Sequence, residues 1–265
     1  MKIAIIGAGN MGGAVARGLA RGAKVATSDI YVSNPSTAKL EALKSEYPEI
    51  NTTTNNCEAA AVADLVILAV KPWKVVDVLD ELKPHLDYKR QAVASMVGGL
   101  GIGQLSEWLD KGDEELPATY IIIPNTAIAT MSSMTFIASA RTTAEQDAEL
   151  VEIFNELGVA MLVEEGLIPA GTSLASCGIA YALRYIRAAM EGGVELGFRA
   201  DDAKRIVMQT LRGAVDILEA NDSHPEAEID RVTTPGGLTI KGLNAMEAAG
   251  FTHSVIEGLR ASTKK

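Results

Sequence analysis

The chain is poor in cysteine, in cations and in long apolar runs, and each shortage excludes a class of protein. Two cysteines in 265 residues, Cys57 and Cys177, with no CxxC pair, cannot build a disulfide framework or a cysteine metal or redox site within one chain. That usage fits a reducing, cytoplasmic compartment. The 24 Lys and Arg are outnumbered by 34 Asp and Glu, a formal charge of −10. A nucleic-acid partner is therefore not expected, because its binders need a basic face. By the same count, a small anion would have to be held by something other than a surplus of cations. No apolar stretch approaches the roughly 18 residues of a membrane helix. Near the N-terminus Lys2 precedes apolar residues in the manner of a signal peptide, but Gly7, Gly9, Gly12 and Gly13 break the run after Ile6. A soluble protein with no membrane partner is expected. The three histidines, His85, His224 and His253, lie in no recognisable motif, and no metal site is expected.

With 48% apolar residues the chain can bury a core, and its length fits one or two domains at roughly 150 residues each. Short, wholly apolar runs at Lys2 to Ile6, Ile30 to Ser33, Leu65 to Val70, Ala92 to Val97 and Tyr120 to Ile123 read as strands buried on both faces. Helical patterns lie between them, at Met11 to Arg21, Thr37 to Glu46, Glu58 to Ala63, Val75 to Lys83 and Ile102 to Leu109. This alternation predicts an α/β fold with a parallel, doubly wound sheet over residues 1–162. Beyond Leu162 strand signals vanish. Helical periods at Thr172 to Leu196, Asp201 to Glu219, Gly237 to Ala249 and Thr252 to Ser262 predict an all-α domain over residues 163–265, with Asp201 or Asp202 as the cap of the second helix. Such a segment either forms its own bundle or buries its faces against a second subunit.

The strongest local motif is Gly7-Ala8-Gly9-Asn10-Met11-Gly12, which directly follows the first strand and opens a helix. Gly7 suits a tight turn, Gly9 lets backbone approach a pyrophosphate, and Gly12 permits close helix packing, while the helix N-terminus attracts the phosphate. Asp29 lies at the distance expected of a ribose-binding acid but begins the second strand, the wrong end for the ligand. The carboxyl end of that strand carries Ser33, Asn34 and Ser36, neutral donors compatible with a 2′-phosphate, so NADPH is expected over NADH. Further strand ends carry Ala69-Val70-Lys71-Pro72, Ser95 to Gly99 (with Val97) and Pro124-Asn125, all at the carboxyl edge where dinucleotides bind.

In the helical half, Val232-Thr233-Thr234-Pro235-Gly236-Gly237-Leu238-Thr239 places backbone N–H groups and hydroxyls at a helix start. This is either an anion site without a basic side chain or simply a helix that begins after a turn. With the glycine motif, Ala-Val-Lys-Pro and Pro124-Asn125-Thr126, the Thr-Thr-Pro-Gly-Gly-Leu-Thr segment makes the chain resemble the pyrroline-5-carboxylate reductases from Lys2 to about Ser262. The C-terminal segment is the specific part. The resemblance implies reduction of 1-pyrroline-5-carboxylate to L-proline by NADPH or NADH, in a homodimer or a higher homo-oligomer of dimers whose helical domains interlock. It places cofactor contacts on the Gly7 to Gly12 loop, Ser33, Asn34, Ser36, Asn56, Ala69 to Pro72 and Val97. Substrate-carboxylate contacts fall on Thr234, Gly237, Leu238 and Thr239, with Thr239 nearest the imine nitrogen, and Glu164 matches a further substrate-site position.

The chain departs from the family pattern at Ala127, where the family usually has proline, and at Ser176-Cys177-Gly178-Ile179-Ala180-Tyr181, where it usually reads Gly-Ser-Gly-Pro-Ala-Tyr. Cys177 reads as a small buried helix residue. Arg231, beside the anion segment, either meets cofactor phosphate or is solvated. The shortage of histidine is compatible with imine chemistry, because a cyclic imine can be protonated before hydride arrives, so a hydroxyl such as that of Thr239 can suffice where a ketone would want a stronger acid. A 3-hydroxyacid dehydrogenase would need a helix-borne lysine, and Lys204 and Lys241 lack the expected Gly and Asn surroundings. A non-catalytic nucleotide-binding protein is the other alternative.

Overall fold

A computed structural model describes residues 1–112 and 115–263. The chain divides into two compact units, Met1–Ser176 and Cys177–Lys265. The first is built on β1 (Ile3–Ile6), α1 (Asn10–Arg21), β2 (Ile30–Ser33), α2 (Thr37–Glu46), β3 (Asn51–Thr53), α3 (Asn56–Ala61), β4 (Leu65–Leu68), α4 (Val75–Leu82), β5 (Ala92–Ser95) and α5 (Ile102–Leu109). It continues through β6 (Thr119–Ile123), β7 (Ser133–Ala140), α6 (Ala144–Asn155), β8 (Gly158–Leu162) and α7 (Ile168–Gly171).

The eight strands form one sheet in the order β3-β2-β1-β4-β5-β6-β7-β8, with every pair parallel except β6 with β7. Alternation along β1 explains the layering. Ile3 and Ile5 join Val15, Ala16 and Leu19 of α1 and Leu150, Ile153 and Phe154 of α6 in one apolar layer. Ala4 and Ile6 join Ala59, Ala60, Leu79, Leu82, Leu105 and Leu109 from α3, α4 and α5 in the other. Being covered on both faces, β1 and β4 are wholly buried, as continuous apolar runs require. Register sets the site: Ile6 stands beside Ser33 on one side and Leu68 on the other, so three strands end flush at their carboxyl edge.

Three strands are additional to the sequence reading, and the strands expected to reach Val70 and Val97 end at Leu68 and Ser95. β3 is a half-buried, polar three-residue edge. β7 mixes Ser133, Thr135 and Ser139 among its apolar residues; the Ser133 hydroxyl accepts the Asn125 N–H at 3.1 Å and lies 3.0 Å from that of Thr135. β7 also runs antiparallel, a departure from the wholly parallel sheet expected. Its partner β8 begins at Gly158 (φ +140°), where a β-carbon would run into the Ser133 backbone.

The second unit contains α8 (Gly178–Glu195), α9 (Ala200–Asn221), α10 (Pro225–Arg231), α11 (Leu238–Ala248) and α12 (Phe251–Ala261). Arg199, not Asp201 or Asp202, occupies the cap of α9; both acids lie in its first turn, where they face the positive end of the helix dipole. Gly193 of α8 lets Ala203 of α9 approach closely, the Tyr181 hydroxyl donates to the Gly258 carbonyl at 3.1 Å, and Tyr185 meets Phe251 edge to face at 6.4 Å. Even so, Ala203 alone is buried among the described residues of this unit, while Leu183, Phe198, Val215 and Leu196 are more than half exposed. One correction concerns apolar length. The 31-residue helical run Glu165–Glu195 is long and apolar enough, by length and composition alone, to cross a membrane. It was invisible as an apolar run because Gly, Ser, Thr and the arginines Arg184 and Arg187 interrupt it.

Candidate active site

The glycine loop joins β1 to α1. Gly7 has φ +110°, and a β-carbon there would lie 2.7 Å from the Ala69 carbonyl oxygen, so only glycine fits the turn. Its N–H donates to the Ser33 carbonyl at 2.8 Å, tying the loop to the end of β2. A β-carbon on Gly12 would lie 2.8 Å from that of Ala69 and closer still to the Gly7 carbonyl oxygen, whereas Gly9 has no atom within 4 Å of where its β-carbon would be. The glycines therefore divide their work. Gly7 and Gly12 let the protein close on itself, and Gly9 leaves open space at the N-terminus of α1. That terminus has no side-chain cap, so its first N–H groups face outward, the arrangement that suits a phosphate.

At the end of β2, Asn34 is buried and its side chain is spent within the fold: Oδ1 accepts the Ala8 N–H at 3.0 Å and Nδ2 donates to the Ser36 carbonyl at 3.1 Å. The fully buried Ser33 hydroxyl donates to Asn56 Oδ1 at 2.8 Å, and Asn56 donates in turn to Glu81 at 3.0 Å. These residues shape the loop rather than offer free side-chain donors. Ser36 is exposed and caps α2 without a side-chain bond. Ala69 and Val70 are half-buried beside the loop, Lys71 and Pro72 are exposed after β4, and Val97 is buried after β5, its N–H donating to the Ser95 hydroxyl. The structure thus gathers the expected cofactor residues at one sheet edge. Beside them lies a cavity of about 390 Å³ bounded by Ala8 to Asn10, by Gly13 and Arg17 of α1, and by Lys39 of α2. Arg17 and Lys39 were missed by sequence reasoning; the available signal was a cation in the first turn of the helix that follows β2. A larger cavity, about 1250 Å³, opens beside Met1, Ala92 and Ala118, at the opposite ends of the strands.

Pro124 and Asn125 end β6. Asn125 Oδ1 accepts the Ala127 N–H at 3.0 Å, Asn125 Nδ2 donates to the Ala175 carbonyl at 3.5 Å, and the Ser176 hydroxyl donates to the Pro124 carbonyl at 3.3 Å. Glu164 is exposed. Its neighbour Glu165 accepts the Ile102 N–H at 2.6 Å and so caps α5, a contact no sequence pattern signalled.

The Thr-Pro-Gly-Gly segment belongs to the helical unit. Gly236 (φ +70°) turns the chain, the Gly237 N–H donates back to the Thr234 carbonyl at 2.9 Å, and α11 starts at Leu238 with no side-chain cap. Leu238 is 86% exposed and Thr239 is exposed beside it. The outward N–H groups are therefore those of the first turn, Leu238 and Thr239. Arg231 pairs with Glu228 at 2.6 Å. Glu228 is held below the ordinary carboxylate value by the Ser223 hydroxyl first, then by Asn221 and Arg231.

Comparison with known proteins bears on both halves. Residues 165–265 match the family described as pyrroline-5-carboxylate reductase dimerisation, and residues 2–99 match NADP oxidoreductase, coenzyme F420-dependent. Pyrroline-5-carboxylate reductase 2 of Dictyostelium discoideum is 39% identical, covering 100% of this chain and 91% of its own length. Pyrroline-5-carboxylate reductase 1 of the same organism is 38% identical over 99% of this chain, which spans 49% of that relative's length. The crystal structure of a Plasmodium falciparum pyrroline carboxylate reductase with NADP bound superposes with a TM-score of 0.88 at 26% identity, covering 99% of this chain and 95% of that one. On sequence, fold and the two helix starts together, the chain belongs to the pyrroline-5-carboxylate reductase family.

Proposed function

We infer that this chain is an NAD(P)H-dependent oxidoreductase that reduces the C=N bond of 1-pyrroline-5-carboxylate to give L-proline, the last step of proline biosynthesis. The observation that carries this reading is the pair of uncapped helix starts, one behind the glycine loop and one behind Pro235-Gly236-Gly237, in a chain 39% identical over its length to a reductase of that name. A dinucleotide fits the first. Gly9 leaves room for a pyrophosphate, and the first-turn N–H groups of α1 would hold it.

The cofactor residues on this reading are Gly7 to Gly12, Ser33, Asn34, Ser36, Asn56, Ala69 to Pro72 and Val97, with Ser33, Asn34 and Asn56 acting by holding the loop in shape. When bound, the reduced nicotinamide supplies the hydride. The first-turn N–H groups of α11 and the Thr234 hydroxyl take the substrate carboxylate, and the Thr239 hydroxyl bonds the ring nitrogen and orients the imine carbon. Glu164 lies outside both helix starts and is proposed only as a peripheral substrate contact. NADPH is proposed as the preferred donor. Residues 1–162 are assigned to cofactor binding and 163–265 to substrate binding and dimerisation.

Assembly follows from burial. A helical unit with one buried residue among those described cannot offset its conformational entropy alone, and the match to a dimerisation family supports burial of its apolar faces in a homo-oligomer. Of the most apolar stretch of Glu165–Glu195, only 17% is buried within one chain, which fits coverage by a second copy. The two unpaired thiols, Cys57 and Cys177, fit a cytoplasmic setting. The test is turnover: the protein supplied with pyrroline-5-carboxylate should oxidise NADPH or NADH, and Thr239→Ala should lower kcat far more than cofactor affinity. A folded protein that binds both cofactors and turns over neither refutes the reading.

A further inference from the structure

We propose that Lys39, on the first turn of α2, selects NADPH over NADH by binding the 2′-phosphate of the adenosine ribose. The proposal rests on the dinucleotide reading of the glycine loop and adds the residue that reads the phosphate.

The neutral residues at the end of β2 do not have free side-chain groups to do so. Both ends of the Asn34 amide and the Ser33 hydroxyl are engaged inside the fold. The cavity beside the glycine loop has two cations on its walls, Arg17 and Lys39, and they differ in what is left of their charge. Arg17 is gripped by Glu46, Nε to Oε2 at 2.8 Å and Nη2 to Oε1 at 2.9 Å, and its Nη1 donates to the Gly13 carbonyl at 3.2 Å. That bond to Arg17 holds the Glu46 carboxyl below its ordinary value, so the pair stays ionised and nearly neutral in sum. Lys39 makes no hydrogen bond or ion pair among the described residues and is exposed. It stands three residues past Ser36, whose hydroxyl caps nothing, so an ammonium and a hydroxyl without partners are offered on one turn. A phosphate dianion placed there meets one uncompensated positive charge, and Arg17 keeps donors in reserve. NADH, which has only ribose hydroxyls at that point, gains nothing from the charge.

The test is fluorescence titration of the full-length protein, of Lys39→Ala and of Lys39→Arg with NADPH and with NADH. Loss of one charge-assisted contact is expected to raise the Kd for NADPH about tenfold or more, to move the Kd for NADH less than twofold, and to be largely restored in Lys39→Arg. Raising salt should weaken NADPH more than NADH in the wild type and erase that difference in Lys39→Ala. Equal weakening of both cofactors, or no change in either, overturns the assignment. These readouts are binding constants, so they stand apart from the turnover test. Imine reduction with unchanged selectivity in Lys39→Ala would refute Lys39 alone, and loss of the imine reading would leave the binding ratio to be read.

Discussion

Gly12→Ala and Gly9→Ala separate the two jobs that the glycine loop performs. The Gly12 methyl would sit 2.8 Å from the Ala69 β-carbon, where carbon pairs settle at about 3.5–4.0 Å, an overlap near 1 Å, and closer still to the Gly7 carbonyl oxygen. Neither neighbour can yield locally. The Gly7 N–H is bonded to Ser33 at 2.8 Å and the Ala69 N–H to Ile6 at 2.9 Å, so α1 must move off the sheet. Such overpacking costs about 1–3 kcal/mol, and at roughly 2–4 °C per kcal/mol for a domain of this size the Tm falls by up to about 10 °C. The Gly9 methyl meets nothing within 4 Å, at an ordinary φ of −68°. The gain of about 0.4–1 kcal/mol from a stiffer unfolded chain is offset by a few tenths from a poorer cap, leaving Tm within about 2 °C. Its methyl instead takes the space a pyrophosphate needs, and the Kd for NADPH rises tenfold or more. Thermal unfolding and cofactor titration of the two variants, side by side, read both effects. The reasoning fails if Gly9→Ala is the less stable of the two, or if it binds NADPH as the wild type does.

Asn34→Ala should cost about 1–3 kcal/mol, because it removes the acceptor of the buried Ala8 N–H; Asn34→Asp should recover that stability by urea titration yet bind NADPH more weakly, its added charge lying beside the phosphates. Acid should destabilise the fold: Glu46, Glu152 and Glu228 are held below the ordinary 4.5 by Arg17, Lys24 and Ser223 respectively. Their stabilisation is present above that value and lost as pH falls through their depressed values, so Tm should change little between roughly pH 6 and 8 and drop below about 4.5; a Tm that rose on acidification would contradict the assignment.

What was legible in the sequence follows what is buried on both faces. β1, β2 and β4 have no competing signal, since every residue of β1 and β4 and most of β2 is apolar and covered, and α2 and α5 end where their patterns end. β3 is polar because it is an edge, and β7 mixes in hydroxyls because they bond one another and the Asn125 backbone, so neither shows apolar periodicity. α6 was readable and missed: Thr143 and Gln146 form a reciprocal capping box, a pattern written four residues long in the chain. In the helical unit the helices were legible, but a core list was not, because the apolar faces remain partly open within one chain.

The candidate site shows the same division between local and global information. The glycines announced their turn because backbone geometry is a local property, whereas the commitment of Ser33 and Asn34 to the loop depends on Asn56 and Ala8 brought in from elsewhere. Net charge was the least informative quantity. A formal −10 spread over the surface is screened beyond about 8 Å at physiological salt, so a bound phosphate responds to what lies within that radius. On the α1 and α2 side this is an uncapped helix start worth roughly half a positive charge, an Arg17–Glu46 pair that cancels itself, and Lys39 without a counterion among the described residues. An acidic protein can therefore hold a dinucleotide phosphate with one free cation, provided that the neighbouring arginine is already matched and the backbone supplies the rest.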